Sequence, residues 1–246
     1  MNDEFSIVID NEKITGFEDF TVSRTLDTMV GDFDIRLTNL DDEAVVVLQP
    51  QSICEIFIGD KQLLKGKIYV VNESEAKNNT SLTIVGRDIT ADLVDCSAIR
   101  KNTYWKKTEL VQIIKDLVKP FDIVIESNVT GKKFNVFSIQ VGETVATTIQ
   151  RACRQKGMIA FTNNKGQLEI REFSDSANIP ADGNFTYAQN IKTFQKTTNI
   201  TQQYSIIYLK GQNPESGKAW TRAQLQQSVS ASDENIKLHR PLVIIN

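Results

Sequence analysis

The sequence predicts a mainly β protein interrupted by a small α+β unit, and three observations carry that prediction. Apolar and polar residues alternate with a period of two in short runs up to about residue 95. Between residues 108 and 156 the apolar period lengthens to that of a helix. Strand-like runs then return after a polar stretch near residue 180. These changes divide the 246 residues into segments 1–95, 96–175 and 176–246.

In the first segment Phe5-Ser6-Ile7-Val8-Ile9 reads as a strand, with Asp10-Asn11-Glu12 as the turn behind it. Phe20, Val22, Arg24 and Leu26 alternate with polar residues. Phe33-Asp34-Ile35-Arg36-Leu37 is a clean alternation that sends Asp32, Asp34 and Arg36 toward water. Residues 53–58 form the next run, Gly59-Asp60-Lys61 the turn, and Leu63 to Val71 another strand. Gly66 inside that strand marks a bulge or bend. Leu82-Thr83-Ile84-Val85 closes the set. Short strands with regular turns predict an antiparallel barrel or sandwich, and a barrel would leave no open edge.

Ile89 to Val94 reads as a short helical turn that ends this segment. Leu110, Ile113, Ile114, Leu117 and Val118 then fall at i, i+3, i+4, i+7 and i+8, one face of a helix. Thr108 is the expected N-cap, Glu109 suits the positive end of the dipole, and Pro120 is the stop. Val124-Ile125 is a short strand. A second helix is expected from Glu143 to Lys156, with Val145, Ile149, Ala152 and Cys153 on one face and Gly157 just beyond its end. Residues 158–161 and 168–171 flank Asn163-Asn164-Lys165-Gly166, a hairpin turn.

Residues 174–183 are the best linker candidate. Strands are expected at 185–187, 191–194 and 204–209, then a long polar loop over 210–235. The run Pro241 to Asn246 is apolar and strand-like, so the natural chain is expected to continue or this run to pair with a sheet edge. Phe33-Asp34-Ile35 and Tyr204-Ser205-Ile206 form a faint internal echo.

Composition narrows the function classes. Apolar residues are 40% and charged residues 24%, a globular balance. Lys and Arg number 28 against 31 Asp and Glu, and the basic residues are scattered. Phosphate-bound proteins show a basic excess or stripe, so sequence-specific nucleic-acid binding is not expected. The start Met1-Asn2-Asp3-Glu4 is acidic with no apolar segment behind it, so no signal peptide or membrane anchor is expected. Cys54, Cys96 and Cys153 are distant, odd in number and set among apolar or small residues, which predicts reduced, buried thiols.

Reactive chemistry is sparse. The one histidine, His239, has no partner at metal spacing, and no phosphate-binding glycine loop or zinc motif occurs. No catalytic residue, metal ligand or cofactor is therefore assigned. Asp41-Asp42-Glu43 reads as a solvated turn. Arg87, Asp88, Asp92 and Asp95 form the densest charged cluster. On a helix Asp88 and Asp92 would share a face, a mildly unfavourable pairing that Arg87 would offset. Arg87, Asp88 and Asp92 are thus candidates for a structural junction rather than for catalysis. Trp105 reads as a cover for the α+β core, whereas Trp220 could anchor a partner.

The segment Gly86-Arg87-Asp88-Ile89-Thr90-Ala91-Asp92-Leu93-Val94-Asp95-Cys96-Ser97-Ala98 resembles the end of the first barrel in the Mu-like bacteriophage baseplate hub family, the tail hub or late control D-like proteins. Val22-Ser23-Arg24-Thr25-Leu26, Gly31-Asp32-Phe33, Gln140 to Val145, Gly166 to Ile170 and His239 to Ile244 are similar to further family segments in the same order. Lys119-Pro120-Phe121-Asp122-Ile123 is similar to another, with Asp122 where the family usually has glycine. The resemblance implies two tube-type antiparallel β-barrels flanking an α/β insert, the second barrel unfinished at Asn246. It implies a homotrimer whose barrels form a pseudo-hexameric ring between the tail tube protein and the central spike protein. DNA would pass through its lumen. The place would be the virion tail baseplate, assembled in the bacterial cytoplasm. The family pattern carries no catalytic residue. The hub portion of a type VI secretion spike and a tail-associated cell-wall hydrolase are the alternatives.

Overall fold

A computed structural model describes residues 4–9, 12–15, 17–25, 28–38, 48–76, 79–172, 186, 193, 195, 197–211 and 227–245. The chain divides into two compact units, Met1–Asn178 and Ile179–Asn246. Leu26, the Asp41-Asp42-Glu43 turn, the 174–183 linker, most of the 185–194 strands and Trp220 lie outside the described residues.

The first unit begins with β1 (Phe5–Ile9), β2 (Glu12–Ile14), β3 (Phe17–Ser23), β4 (Asp32–Thr38), β5 (Ile53–Ile58), β6 (Lys61–Ala76) and β7 (Asn79–Asp88). They form one sheet in the order β2-β1-β5-β6-β7-β4-β3, every pair antiparallel. Alternation sets its faces. Phe33, Ile35 and Leu37 of β4 are fully buried, while Asp32, Asp34 and Arg36 are exposed. Their partners on β7 are Gly86, Ile84 and Leu82, so a slip of one residue would turn this apolar set to water. Glu12 belongs to β2 and not to the preceding turn.

The sheet curls, because Phe17 and Phe20 of end strand β3 reach Phe5 of β1, with ring centroids 5.0 and 3.7 Å apart. No backbone ladder closes it among the described residues. Of the barrel expectation, the curled antiparallel sheet is what the described residues show, with aromatic contact rather than strand pairing near its ends. Gly66 is also not a bulge. It pairs regularly with Cys54 and Asp88, and the register shifts fall at Ile56/Phe57 and Ile68/Val70. Glycine is needed at 66 because a Cβ there would press on the Arg87 carbonyl and on Leu64 Cδ2.

A 3₁₀ turn at Ile89–Ala91 and helix α1 (Asp92–Asp95) lead into the second core. Around it stand β8 (Tyr104–Glu109), α2 (Leu110–Val118), β9 (Ile125–Ser127), β10 (Lys133–Ser138), α3 (Val145–Gln155), β11 (Met158–Thr162) and β12 (Leu168–Glu172). The five α2 residues at helical spacing are all buried, against Trp105, Phe134, Phe137 and Ile149 among others. Thr108 is not the cap. It lies in β8 opposite Phe134, its hydroxyl donates to the Lys106 carbonyl, and Glu109 occupies the cap position. The β8–β10 ribbon wins these residues because Trp105 and Phe137 pair across it and turn inward together.

Helix α3 starts at Val145, two residues later than expected. Thr144 Oγ1 accepts from the Thr147 N–H at 3.2 Å, and Gly157 follows the helix with φ +67°. The Glu143 carboxylate before it binds Arg151 Nε at 2.7 Å and accepts from the Gln140 N–H, and these bonds hold its pKa below the usual glutamate value. β12 pairs antiparallel with β11 and parallel with β9, as a βα crossover allows.

After α2 the 3₁₀ turn Lys119–Phe121 ends at Asp122, whose φ is +53°. Aspartate tolerates this left-handed geometry, glycine adopts it freely, and a β-branched residue does not. Asp122→Val is expected to lose about 1–2 kcal/mol of stability, with Asp122→Gly within about 0.5 kcal/mol of the parent. Urea denaturation of the three proteins checks this ordering.

The second unit holds β13 (Ile206–Gly211), β14 (Gln227–Ser232) and β15 (Pro241–Ile245) in the order β14-β13-β15. β13 pairs antiparallel with β14 and parallel with β15. Two expectations change here. Residues 227–232 are a strand and not part of a loop, and the sheet is mixed and not purely antiparallel. Among the described residues no helix is long and apolar enough to cross a membrane.

Candidate functional site

The charged cluster around Arg87 is built by the end of β7 and the turn behind it. β7 carries Arg87 on the outer face of the sheet and Asp88 inward, because neighbouring strand residues face opposite sides. Asp88 has φ −48° and ψ 152°, an extended geometry. Asp88 and Asp92 therefore do not share a helical face, and Arg87 does not pair with Asp88. The cluster separates into an outer and an inner set.

In the outer set Lys67 and Arg87 stand directly opposite each other on β6 and β7, an unfavourable like-charge pair. Helix α1 answers each cation. Lys67 Nζ meets Asp92 Oδ2 at 2.5 Å, and Arg87 Nη1 meets Asp95 Oδ1 at 3.2 Å. Tyr69 joins them, donating its hydroxyl to Asp92 Oδ1 at 3.2 Å beneath the Arg87 guanidinium, 4.6 Å from the ring centre. Burial and the Asp92 charge push the Tyr69 phenol up, and hydrogen bonding to Arg87 draws Asp95 down. These contacts lay α1 on the outer face of the sheet.

The inner set is centred on Asp88, which is fully buried. Its Oδ2 accepts from the Gly31 N–H at 2.7 Å, and the Asp88 N–H returns a bond to the Gly31 carbonyl at 2.9 Å. Arg24 Nε lies 3.9 Å from the same oxygen. Asp88 Oδ1 is buried without a hydrogen-bond partner. Burial pushes the Asp88 pKa up to about 6, with the Asp32 charge adding to it and Gly31 and Arg24 opposing.

Arg24 reaches beyond Asp88. It donates from Nη1 to the Leu63 carbonyl of β6 at 3.2 Å and to Asn164 Oδ1 at 2.6 Å, and from Nη2 to the Thr162 carbonyl of β11. Beside it Thr90 donates to Thr162 Oγ1 at 2.6 Å, and Thr162 donates to the Met29 carbonyl at 2.7 Å. Arg24, Thr162 and Asn164 border a cavity of about 280 Å³ together with Thr28, Met29, Gly31 and Asp88. Sequence reading did not bring Arg24 and Thr162 together because 138 residues separate them.

No acid pair stands ready for general acid–base chemistry here. Asp88 is held by Gly31 and Arg24, and Asp92 by Lys67 and Tyr69. A depression of about 810 Å³ along β9 and β12 is lined by Glu126, Glu169 and Glu172, a trio that sequence reading also missed. Each has a partner: Asn163 Nδ2 at 2.8 Å, Arg171, and Lys132 Nζ at 2.9 Å respectively. Among the described residues no cluster of three His, Cys, Asp or Glu could hold a metal. His239 is exposed. Cys54 and Cys153 are buried, with thiols pushed up to about 12, but Cys96 is exposed, because it stands at the end of the short α1. Trp105 is buried in the second core, and its Nε1 donates to Asp116 Oδ2 at 2.8 Å.

Two family models match adjacent stretches of the chain. One describes the N-terminal part of Mu phage baseplate assembly protein GpP-like proteins and matches residues 4–88. The other describes the second domain of baseplate hub protein gp44-like proteins and matches residues 90–172. The boundary between them falls where β7 gives way to the 3₁₀ turn. The baseplate hub protein gp44 of Escherichia phage Mu is 25% identical over 253 positions, which cover 100% of this chain and 66% of that protein. The chain thus spans just under two thirds of that relative's length. Among solved structures, the 43 kDa tail protein of prophage MuSo2 from Shewanella oneidensis is 25% identical with a TM-score of 0.82, over 99% of this chain and 73% of that one. The tail protein from Neisseria meningitidis MC58 is 19% identical with a TM-score of 0.76, over 99% and 71%. A PdpA–VgrG complex chain is 12% identical with a TM-score of 0.58, over 99% and 48%. The last two are likenesses of fold. The relatives are tail and baseplate components rather than enzymes.

Proposed function

The chain belongs to the Mu-like bacteriophage baseplate hub family, and on that premise we propose that it is the hub subunit of a contractile tail, three copies forming a ring between tail tube and central spike. The observation that carries the proposal is the succession of two baseplate matches from residue 4 to residue 172 with no foreign segment between them. In this reading the chain works as three parts, 1–95, 96–175 and 176–246, with the first and third contributing to a pseudo-hexameric ring.

The physical logic supports that role. Strands β2 and β3 end the large sheet, and β14 and β15 the small one, each with one side unpaired among the described residues. Such edges invite pairing, and a closed ring satisfies them without leaving an open template. The net charge of −3 would keep the ring from gripping DNA that passes through it. The site of action is the virion tail baseplate, after assembly in the bacterial cytoplasm.

Native mass spectrometry of the purified chain tests the ring. The expected species is three times the 27.7 kDa of one chain, and a monomer at micromolar concentration overturns the trimer. Peptide mapping of purified tails tests the location, since absence of the chain from them overturns the hub role. The fold likeness to the PdpA–VgrG complex favours a second reading, the hub portion of a type VI secretion spike. Recovery of the chain with secreted spikes and not with tails would select that one.

A further inference from the structure

We propose that proton uptake by Asp88 tightens the joint between the curled sheet and the helix-bearing part of the first unit. The inference is independent of the hub reading. Its basis is the geometry of one side chain. Asp88 is wholly excluded from solvent, one carboxylate oxygen has a single backbone donor, and the other has none. A buried acceptor without a partner is costly, and more so when the group is charged. Protonation at Oδ1 removes the charge without disturbing the Gly31 bond to Oδ2.

The charges facing Asp88 do not cancel it. Arg24, on the segment after β3, is the nearest cation, but at 3.9 Å, and its other nitrogens are committed to Leu63, Asn164 and Thr162. Asp32 at the head of β4 has the same sign as Asp88. On β6 the residue opposite is Gly66, and its neighbours Lys65 and Lys67 are held by Glu55 and Asp92. Arg87 is drawn outward by Asp95, and Glu169 of β12, across the cavity, is taken by Arg171.

The position turns a local titration into a property of the joint. Gly31, bonded to Asp88 in both directions, lies two residues from Met29, whose carbonyl takes the Thr162 hydroxyl of β11. Thr90, two residues beyond Asp88, donates to that same hydroxyl. Relief of the buried charge therefore acts on the bonds that tie the end of β7 and residues 29–31 to β11.

The sign follows from where the proton binds. Burial lifts Asp88 from 3.8 to about 6, so between those values the folded chain holds a proton that the unfolded chain has released. Stability from this group is complete below the unfolded value and is lost as pH rises through about 6. Between its fully protonated and fully ionised limits that lift corresponds to roughly a hundredfold in the folding equilibrium.

Asp88→Asn removes the titration while keeping an oxygen for the Gly31 N–H. Urea unfolding of both proteins from pH 4.5 to 7.5 should show the variant gaining on the parent as pH rises, by roughly 25-fold in the ratio of unfolding constants across that range. Amide protection at Gly31 and Thr162 in the parent, taken relative to the intrinsic exchange rate at each pH, should fall over the same interval. Parallel stability curves overturn the proposal. Should the variant fail to fold, carboxyl-carbon NMR of the intact protein decides, and an Asp88 midpoint at or below 4 overturns it as well.

Discussion

Replacing Gly86 with valine is expected to remove more than about 3 kcal/mol of stability, the largest loss anticipated from any single substitution in the sheet. Gly86 sits in β7, opposite Phe33 on β4 and Ile68 on β6. The fully buried Phe33 ring lies over the bare glycine, so that a Cβ would fall inside both the ring edge and the Lys67 carbonyl. Neither can step aside cheaply. The ring is packed within the core, and the carbonyl belongs to the central ladder. Alanine alone would strain both contacts, and valine adds two further carbons to the same space. Gly211 provides the control, because a Cβ there meets nothing within 4 Å and Gly211→Ala should change stability by less than about 0.5 kcal/mol. Chemical denaturation of the two variants settles the matter. Wild-type-like unfolding of Gly86→Val would mean that the Phe33 ring does not occupy the groove above β7.

That packing was partly visible in the sequence. The alternation from Phe33 to Leu37 announced a strand with one buried face, and it is buried as written. The α2 and α3 faces were equally plain, because their apolar residues recur at helical spacing without interruption. What alternation does not encode is the residue on the facing strand. Nothing near Gly86 says that Phe33 will lie over it, 53 positions away in the chain. The β8–β10 ribbon was missed for a related reason. Tyr-Trp-Lys-Lys-Thr-Glu has too few apolar residues to read as a strand until Phe134 and Phe137 are known to face it. At the seam, the pairings expected for the run from Arg87 to Asp95 differ from those in the structure. Spacing along an assumed helix suggested Asp88 with Asp92, whereas the strand geometry of Asp88 sends the two to different partners.

Arg24→Ala is the second substitution expected to have a large effect, a loss of about 2–4 kcal/mol at pH 7. The side chain is only a quarter exposed, and it spends its donors on three separate places: the Leu63 carbonyl, Asn164 and the Thr162 carbonyl. Its stem packs against Gly31, where a Cβ would come within 2.7 Å of Arg24 Cγ. Alanine removes this bridge between β6 and the β11–β12 turn and also strips Asp88 of its nearest countercharge. Lysine should recover only a minor part, because an ammonium cannot fork toward divergent acceptors as a guanidinium does. The loss of countercharge has its own signature. With Arg24 gone, the Asp88 midpoint should climb above its present value of about 6, so the folded state retains its proton to higher pH. The window in which stability falls with rising pH then extends upward, and the deficit of Arg24→Ala should be smaller at pH 5 than at pH 7. Adding Asp88→Asn should restore part of what Arg24→Ala loses at pH 7 and nothing at pH 4.5, a non-additivity read from a double-mutant cycle. If the deficit is the same at both pH values, Arg24 acts through its carbonyl bonds alone, and the ion contact at 3.9 Å contributes nothing to the joint.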